Sequence, residues 1–227
     1  MKMQAFFQKL LHNVNDLLLP QTEHCHTCGR IFYYDDGCFC DQCLAELESF
    51  RFSAHSVTLK KPPLEACAAA YHYGGPAKTL VTQLKFNADF ACAQPLAYAM
   101  SAVLLSCGWE QQMDLMIPVP LHERRYRERG FNQCTLLAEP IGACLHIPVS
   151  EDALKRIRYT GTQVKRSGAE RRTALLQAFK ADEGQVKGKR ILLVDDVFTT
   201  GSTGIACAEA LLEAGATGVW MITACRA

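Results

Sequence analysis

Residues 191–203 read ILLVDDVFTTGST. Ile191–Val194 are four consecutive apolar residues, the pattern of a strand covered on both faces, and such strands belong to parallel sheets flanked by helices. Directly beyond this strand stand Asp195 and Asp196, then Val197-Phe198, then Thr199-Thr200-Gly201-Ser202-Thr203, and then an Ala- and Leu-rich stretch that predicts a helix over about 202–213. In an open α/β sheet ligands bind outside the carboxyl ends of the strands, so this turn falls where a site belongs. Adjacent carboxylates offer acceptors to the paired hydroxyls of a ribose, and a Thr/Gly/Ser turn opening a helix offers hydroxyls and N–H groups to a phosphate. Together they describe a sugar phosphate. Strand termination and helix capping alone would need one such residue, whereas the stretch spends seven polar or glycine positions between 195 and 203.

The rest of the chain supports the same class. Its 227 residues, 49% hydrophobic and 21% charged, suffice for one full core and a small extra module. Cys67–Tyr73 reads as a strand closed by Gly74-Gly75-Pro76, 77–86 and 90–106 as helices, Met113–Val119 as a buried strand, 131–145 as a helix, 190–194 and Gly218–Thr223 as further strands. This alternation predicts a mostly parallel sheet with helices on both faces. Lys60-Lys61-Pro62-Pro63 marks a linker within 51–65 and leaves 66–227 as the main domain. A net charge of +1 gives no global attraction to nucleic acid or to an anionic membrane. No apolar run reaches the length of a membrane span.

Over residues 1–23, Phe6, Phe7, Leu10, Leu11, Val14, Leu17 and Leu18 recur at helical spacing ahead of Pro20, which predicts an amphipathic docking helix. Polar residues such as Gln8, Lys9, Asn13 and Asp16 interrupt any continuous apolar core, so the stretch does not read as a secretion signal. Of twelve cysteines, seven are scattered singly, which fits reduced thiols in a cytoplasmic protein. The other five lie within a module spanning 24–50. Cys25-His26-Thr27-Cys28 and Cys40-Asp41-Gln42-Cys43 form two C-x-x-C pairs, and two such turns close a tetrahedral zinc site. Four protein ligands leave no position for water, so the metal is expected to be structural. Cys38, His24 and His26 compete for a place among the ligands.

Two basic segments complete the reading. Residues 117–133, IPVPLHERRYRERGFNQ, bring Arg124, Arg125, Arg127 and Arg129 to what reads as a loop, where guanidinium groups suit a pyrophosphate. Residues 155–172, KRIRYTGTQVKRSGAERR, read as a polar hood able to close over a phosphorylated ligand.

The ILLVDDVFTTGST segment resembles the phosphoribosyl-diphosphate (PRPP) signature of type I phosphoribosyltransferases. The order of motifs is more specific. A Cys-x-x-Cys knuckle precedes Tyr71-x-Tyr73-Gly74 with Lys85-Phe86, then Pro118-Val119-Pro120 with Arg129-Gly130-Phe131-Asn132-Gln133, then Arg158 with Thr160 and Gln163, then LVDDVFTTGST. This order resembles the ComF/GntX family over about residues 25–226. The resemblance implies a type I phosphoribosyltransferase fold with an N-terminal zinc knuckle. It also implies that Asp195 and Asp196 hold the ribose hydroxyls, as the catalytic pair, and that Thr199, Thr200, Gly201, Ser202 and Thr203 cradle the 5′-phosphate. Lys85, Pro120, Arg125, Arg129, Asn132, Gln133 and Arg158 complete the implied site, with Mg²⁺ accompanying PRPP. Cys38 departs from the family pattern.

Two functions compete. One is transfer of a phosphoribosyl group from PRPP to an acceptor that the sequence does not identify. The other, implied by resemblance to a family linked to DNA uptake, is a PRPP-responsive accessory role with single-stranded DNA or DNA-uptake proteins as partners and Tyr126 or Tyr159 stacking on bases among arginines.

Overall fold

The sheet is organised around the strand that the sequence marks most strongly. A computed structural model of the chain describes residues 22–33, 38–52, 58–158 and 177–227. The chain begins with a short hairpin, β1 (Thr22–His24) and β2 (Ile31–Tyr33), followed by helix α1 (Asp41–Ser49). Strands β3 (Thr58–Lys61) and β4 (Leu64–His72), helix α2 (Gly75–Phe86), a 3₁₀ turn (Phe90–Cys92) and helix α3 (Ala93–Cys107) come next. Then come β5 (Leu115–Pro118), α4 (Glu123–Arg129), α5 (Gln133–Leu145), the β6 (Leu154–Arg156) and β7 (Phe179–Ala181) ribbon, and the short α6 (Glu183–Val186). Strand β8 (Arg190–Phe198), helix α7 (Ser202–Glu213) and strand β9 (Gly218–Arg226) close the fold.

The five-stranded sheet runs β3-β4-β9-β8-β5, parallel except for β3 at one edge. Ile191 to Val194 are fully buried, as a strand with helices on both faces requires. Their side chains alternate between two cores. Leu192 and Val194 join Leu80 and Leu84 of α2, Leu96 and Met100 of α3, and Leu137 and Ile141 of α5. Ile191 and Leu193 join Cys207 and Leu211 of α7 and Leu154 and Phe179 of the ribbon.

The structure changes several expected boundaries. Strand 190–194 continues to Phe198, because β9 itself runs to Arg226 and supplies ladder partners for Asp195, Val197 and Phe198. The basic stretch read as a loop contains α4, whose residues are all at least partly exposed. Charge pairs four residues apart, Glu123–Arg127 and Arg124–Glu128, support it, and His122 Nδ1 caps it by accepting from the Arg124 N–H. The stretch 51–65, expected as a linker, carries the edge strand β3 at 58–61 and a Pro62-Pro63 turn with a cis bond. Phe90–Cys107 is long and apolar enough to cross a membrane by length and composition, contrary to the expectation that no run is. Leu96, Met100 and Leu104 of that helix are fully buried in the protein core. The amphipathic helix expected over 1–23 lies, up to residue 21, outside the described residues, as do residues 159–172 of the expected hood.

Beyond α5 the chain turns back tightly, and Val149 bridges to Met116 at the edge of the sheet. That return needs Gly142. A Cβ there would stand 2.5 Å from Val149 Cγ2 and 2.7 Å from the Ile147 carbonyl oxygen. Gly142→Ala is therefore expected to destabilise the fold by about 1–3 kcal/mol, although alanine gains about 1 kcal/mol of helix propensity over glycine. The urea midpoint checks the sign, and a stabilised variant would contradict this packing.

Candidate functional site

The carboxyl ends of β8 and β5 open onto a cavity of about 380 Å³. Asp195 and Asp196 lie in its floor, still within the strand ladder. Each carboxylate folds back on the chain: Asp195 Oδ1 accepts from the Asp196 N–H and Asp196 Oδ1 from the Val197 N–H, both at 2.9 Å. Lys85, from the last turn of α2, reaches across and places Nζ 2.5 Å from Asp196 Oδ2. Gln133 donates to the same oxygen at 3.5 Å, and the Cys134 thiol donates to Asp195 Oδ1 at 3.2 Å.

Two carboxylates so close cannot both ionise freely in a site withdrawn from water. Burial, and then the charge of Asp196, push Asp195 up to about 7, although the Asp196 N–H, Cys134 and Lys85 pull the other way. For Lys85, burial opposes the charge, yet Asp196 beside it and Asp195 behind it more than offset that and hold the ammonium above its ordinary value. Burial depresses the Arg129 guanidinium, and the charge of Asp196 counters part of that effect.

The turn after β8 is shaped by Gly201. Its φ of +79° is a left-handed conformation that favours glycine, and a Cβ would stand 2.7 Å from the Phe198 ring. The turn leads into the N-terminus of α7, where Thr200 Oγ1 and Ser202 Oγ lie 2.8 Å apart. Unpaired N–H groups at such a terminus attract anions.

The fold gathers most of the residues singled out by sequence. Lys85, Pro120, Arg125, Arg129, Gln133, Asp195, Asp196, Thr199 and Thr203 line one cavity. Thr200, Gly201 and Ser202 lie in the same turn. Asn132 stands behind the wall: it caps α5 by accepting from the Cys134 N–H, and its amide donates to the Val119 carbonyl. Arg158 does not line the cavity. It is exposed and donates to Gln177 Oε1 at 2.7 Å. Sequence reading missed Cys134 and Arg156, which do line it. Arg156 sits in the KRIR run and lays its guanidinium over the Phe179 ring at 5.4 Å. Cys134 carried no signal except its place beside Gln133. A roomier hollow of about 700 Å³, between the β6–β7 ribbon and α7, lacks these converging residues.

The cysteine pairs form a second centre. Sγ atoms of Cys25, Cys28, Cys40 and Cys43 all lie within 4.8 Å of one another, and Cys28 and Cys40 are 3.8 Å apart. Sulfurs about 2.3 Å from a tetrahedral zinc are about 3.8 Å apart, so the cluster can hold such an ion. Cys25 follows β1, while Cys40 and Cys43 stand at the N-terminus and first turn of α1. Burial opposes ionisation of Cys25, but N–H groups of Cys28, Cys40 and Thr27 outweigh it and bring that thiol down to about 6. Burial and the neighbouring sulfurs drive Cys43 far upward. The bare cluster favours a first thiolate and resists another, a resistance that a divalent cation relieves. Cys38 is not among the four.

Comparison with known proteins agrees with this architecture. A family model described as a phosphoribosyl transferase domain matches residues 134–227. The DNA utilization protein YhgH of Escherichia coli O157:H7 is 34% identical over 205 residues, covering 89% of each chain. Competence protein F of Haemophilus influenzae is 29% identical over 207 residues, 88% of this chain and 90% of that one. Competence protein ComFC of Bacillus subtilis is 26% identical over 208 residues, 88% and 82% of the respective chains.

The raised Asp195 carboxyl has a stability consequence. From about pH 4 to pH 7 the unfolded chain gives up this proton while the folded chain keeps it, so the group's contribution to stability falls as pH rises through that window. Asp195→Asn is therefore expected to gain on wild type as pH rises from about 4 to about 7. Urea midpoints of both proteins at each pH check this, and a constant difference contradicts it.

Proposed function

Because this chain belongs to the ComF family of phosphoribosyltransferase-like proteins, we propose that it binds PRPP at the carboxyl ends of β8 and β5 and transfers the phosphoribosyl group. The observation that carries this reading is the convergence of Asp195, Asp196, Lys85, Arg125, Arg129 and the Gly201 turn on one cavity. The α7 N-terminus and the hydroxyls of Thr199 to Thr203 receive the 5′-phosphate. Asp195 and Asp196 accept hydrogen bonds from the two ribose hydroxyls. Among the described residues no carboxylate forms an ion pair with Arg125 or Arg129, and although Arg129 donates to Gln133 Oε1, both guanidinium charges are available to pyrophosphate.

Loss of pyrophosphate develops positive charge on the ribose, and the acidic pair in the cavity offsets that charge. Lys85 holds Asp196 in place while the ligand is absent. Oxygen donors of the acidic pair and of PRPP suit Mg²⁺, which when bound supplies neutralisation of the leaving pyrophosphate. The four-cysteine cluster holds zinc as a structural ion. Thiols at all twelve cysteines fit a cytoplasmic protein.

A second reading makes the protein a PRPP-responsive factor that binds single-stranded DNA or DNA-uptake proteins without turnover. It is supported by exposed Phe86 and Tyr126 beside Arg129 and Arg125, and by relatives named for competence and DNA utilization. Binding of an oligonucleotide that weakens steeply with salt, with no pyrophosphate release in its presence, would favour this reading.

Calorimetric titration with PRPP and Mg²⁺ tests the shared premise. Wild type is expected to bind, and Asp195→Asn/Asp196→Asn to bind at least about tenfold more weakly, a loss of about 1.4 kcal/mol or more. Equal binding by both would remove the acidic pair from the site.

A further inference from the structure

Cys38, the knuckle cysteine outside both C-x-x-C pairs, lies near a second cluster of metal-binding groups. His26, Asp89 and Cys92 bring an imidazole nitrogen, a carboxylate oxygen and a thiol within 4.8 Å of one another. They come from three separate stretches: the first C-x-x-C turn, the loop after α2, and the 3₁₀ turn that leads into α3. His26 Nδ1 lies 2.8 Å from Asp89 Oδ2, with the two side chains 23% and 30% exposed, and Cys92 is fully buried. The backbone holds Cys38 against this group, since the His26 N–H donates to the Cys38 carbonyl at 3.1 Å. Burial raises the Cys92 thiol, and the charges of Asp89 and then of Cys38 raise it further, which puts Cys38 in the same local field.

Nitrogen, sulfur and carboxylate oxygen on an enclosed site form a zinc donor set. Burial opposes ionisation of Asp89, but hydrogen bonds from His26 and from the Cys92 thiol outweigh it and hold that carboxyl below its ordinary value, while burial and the charge of Asp89 push the Cys92 thiol up. A divalent cation held between them relieves the cost of a thiolate at Cys92 beside the Asp89 carboxylate.

We propose that His26, Asp89 and Cys92, with Cys38 as fourth ligand, form a second zinc site that staples the knuckle to the phosphoribosyltransferase domain. Two ligands come from the knuckle and two from residues directly after α2. Lys85, which clamps Asp196, is in the last turn of that helix. The second ion thus secures the segment that follows the residue positioning the acidic pair.

Metal analysis of the full-length protein, purified reduced and free of chelator, tests the proposal. Wild type is expected to hold about two zinc ions per chain, and Asp89→Asn/Cys92→Ser about one, with the four-cysteine centre retained. About one ion in wild type, or an unchanged count in the variant, would overturn it. Should the variant fail to fold, cobalt(II) titration of metal-free wild type decides the matter. Thiolate-to-cobalt absorption that continues to grow between about one and two equivalents supports the site, and saturation at about one equivalent overturns it.

Discussion

Two adjacent carboxylates held at the end of a buried strand are the costly element of this structure, and much of the surrounding architecture is arranged to keep them there. Parallel pairing with β9 extends β8 through Phe198, so Asp195 and Asp196 are fixed by the sheet ladder. Burial first, and then the charge of Asp196, raise Asp195 to about 7. Lys85 from α2, Gln133 and Cys134 from α5, and two backbone N–H groups satisfy the oxygens. Three segments, α2, α5 and β8 itself, therefore supply partners to one pair of acids, whose oxygens are oriented by the protein in advance of any ligand.

That arrangement depends on where α2 sits, and the knuckle contributes to it. Phe50, just beyond α1, packs so closely on the chain entering α2 that a Cβ on Gly74 or Gly75 would stand 2.6 or 2.7 Å from its ring. Leu47 of α1 is buried in the same core as Leu80 and Leu84 of α2. A metal centre that fixes the start of α1 therefore supports, through α2, the lysine that clamps Asp196. The four-cysteine cluster and the cavity at the acidic pair are linked here by packing.

What was legible in the sequence follows from how local each signal is. Ile191–Val194 and the polar turn after them announce strand, site and helix within one short segment, and the two C-x-x-C pairs announce their cluster by spacing alone. Strand β4, helices α2, α3 and α5, and strand β9 were legible from apolar pattern to within a few residues. Continuation of β8 into the acidic pair was not, because it depends on a ladder supplied by β9. Helix α4 was read as a loop, since it has no buried face and is held by charge pairs and a histidine cap. Lys85 and Gln133 entered only through family resemblance, and the fold gives them physical roles against Asp196. Cys134 was invisible because an isolated cysteine in an apolar stretch carries no pattern. Arg158, expected in the site by resemblance, turns instead to Gln177.

The central claim is that one cavity at the end of β8 receives the two ends of a sugar phosphate in a fixed orientation. A crystal structure of the protein with PRPP and Mg²⁺ tests this most directly. The expected result places the ribose hydroxyls within about 3 Å of the Asp195 and Asp196 carboxylates, the 5′-phosphate in the turn from Thr199 to Thr203, and the pyrophosphate toward Arg125. A reversed ligand, with pyrophosphate in the Gly201 turn, or one bound away from the acidic pair, would contradict it.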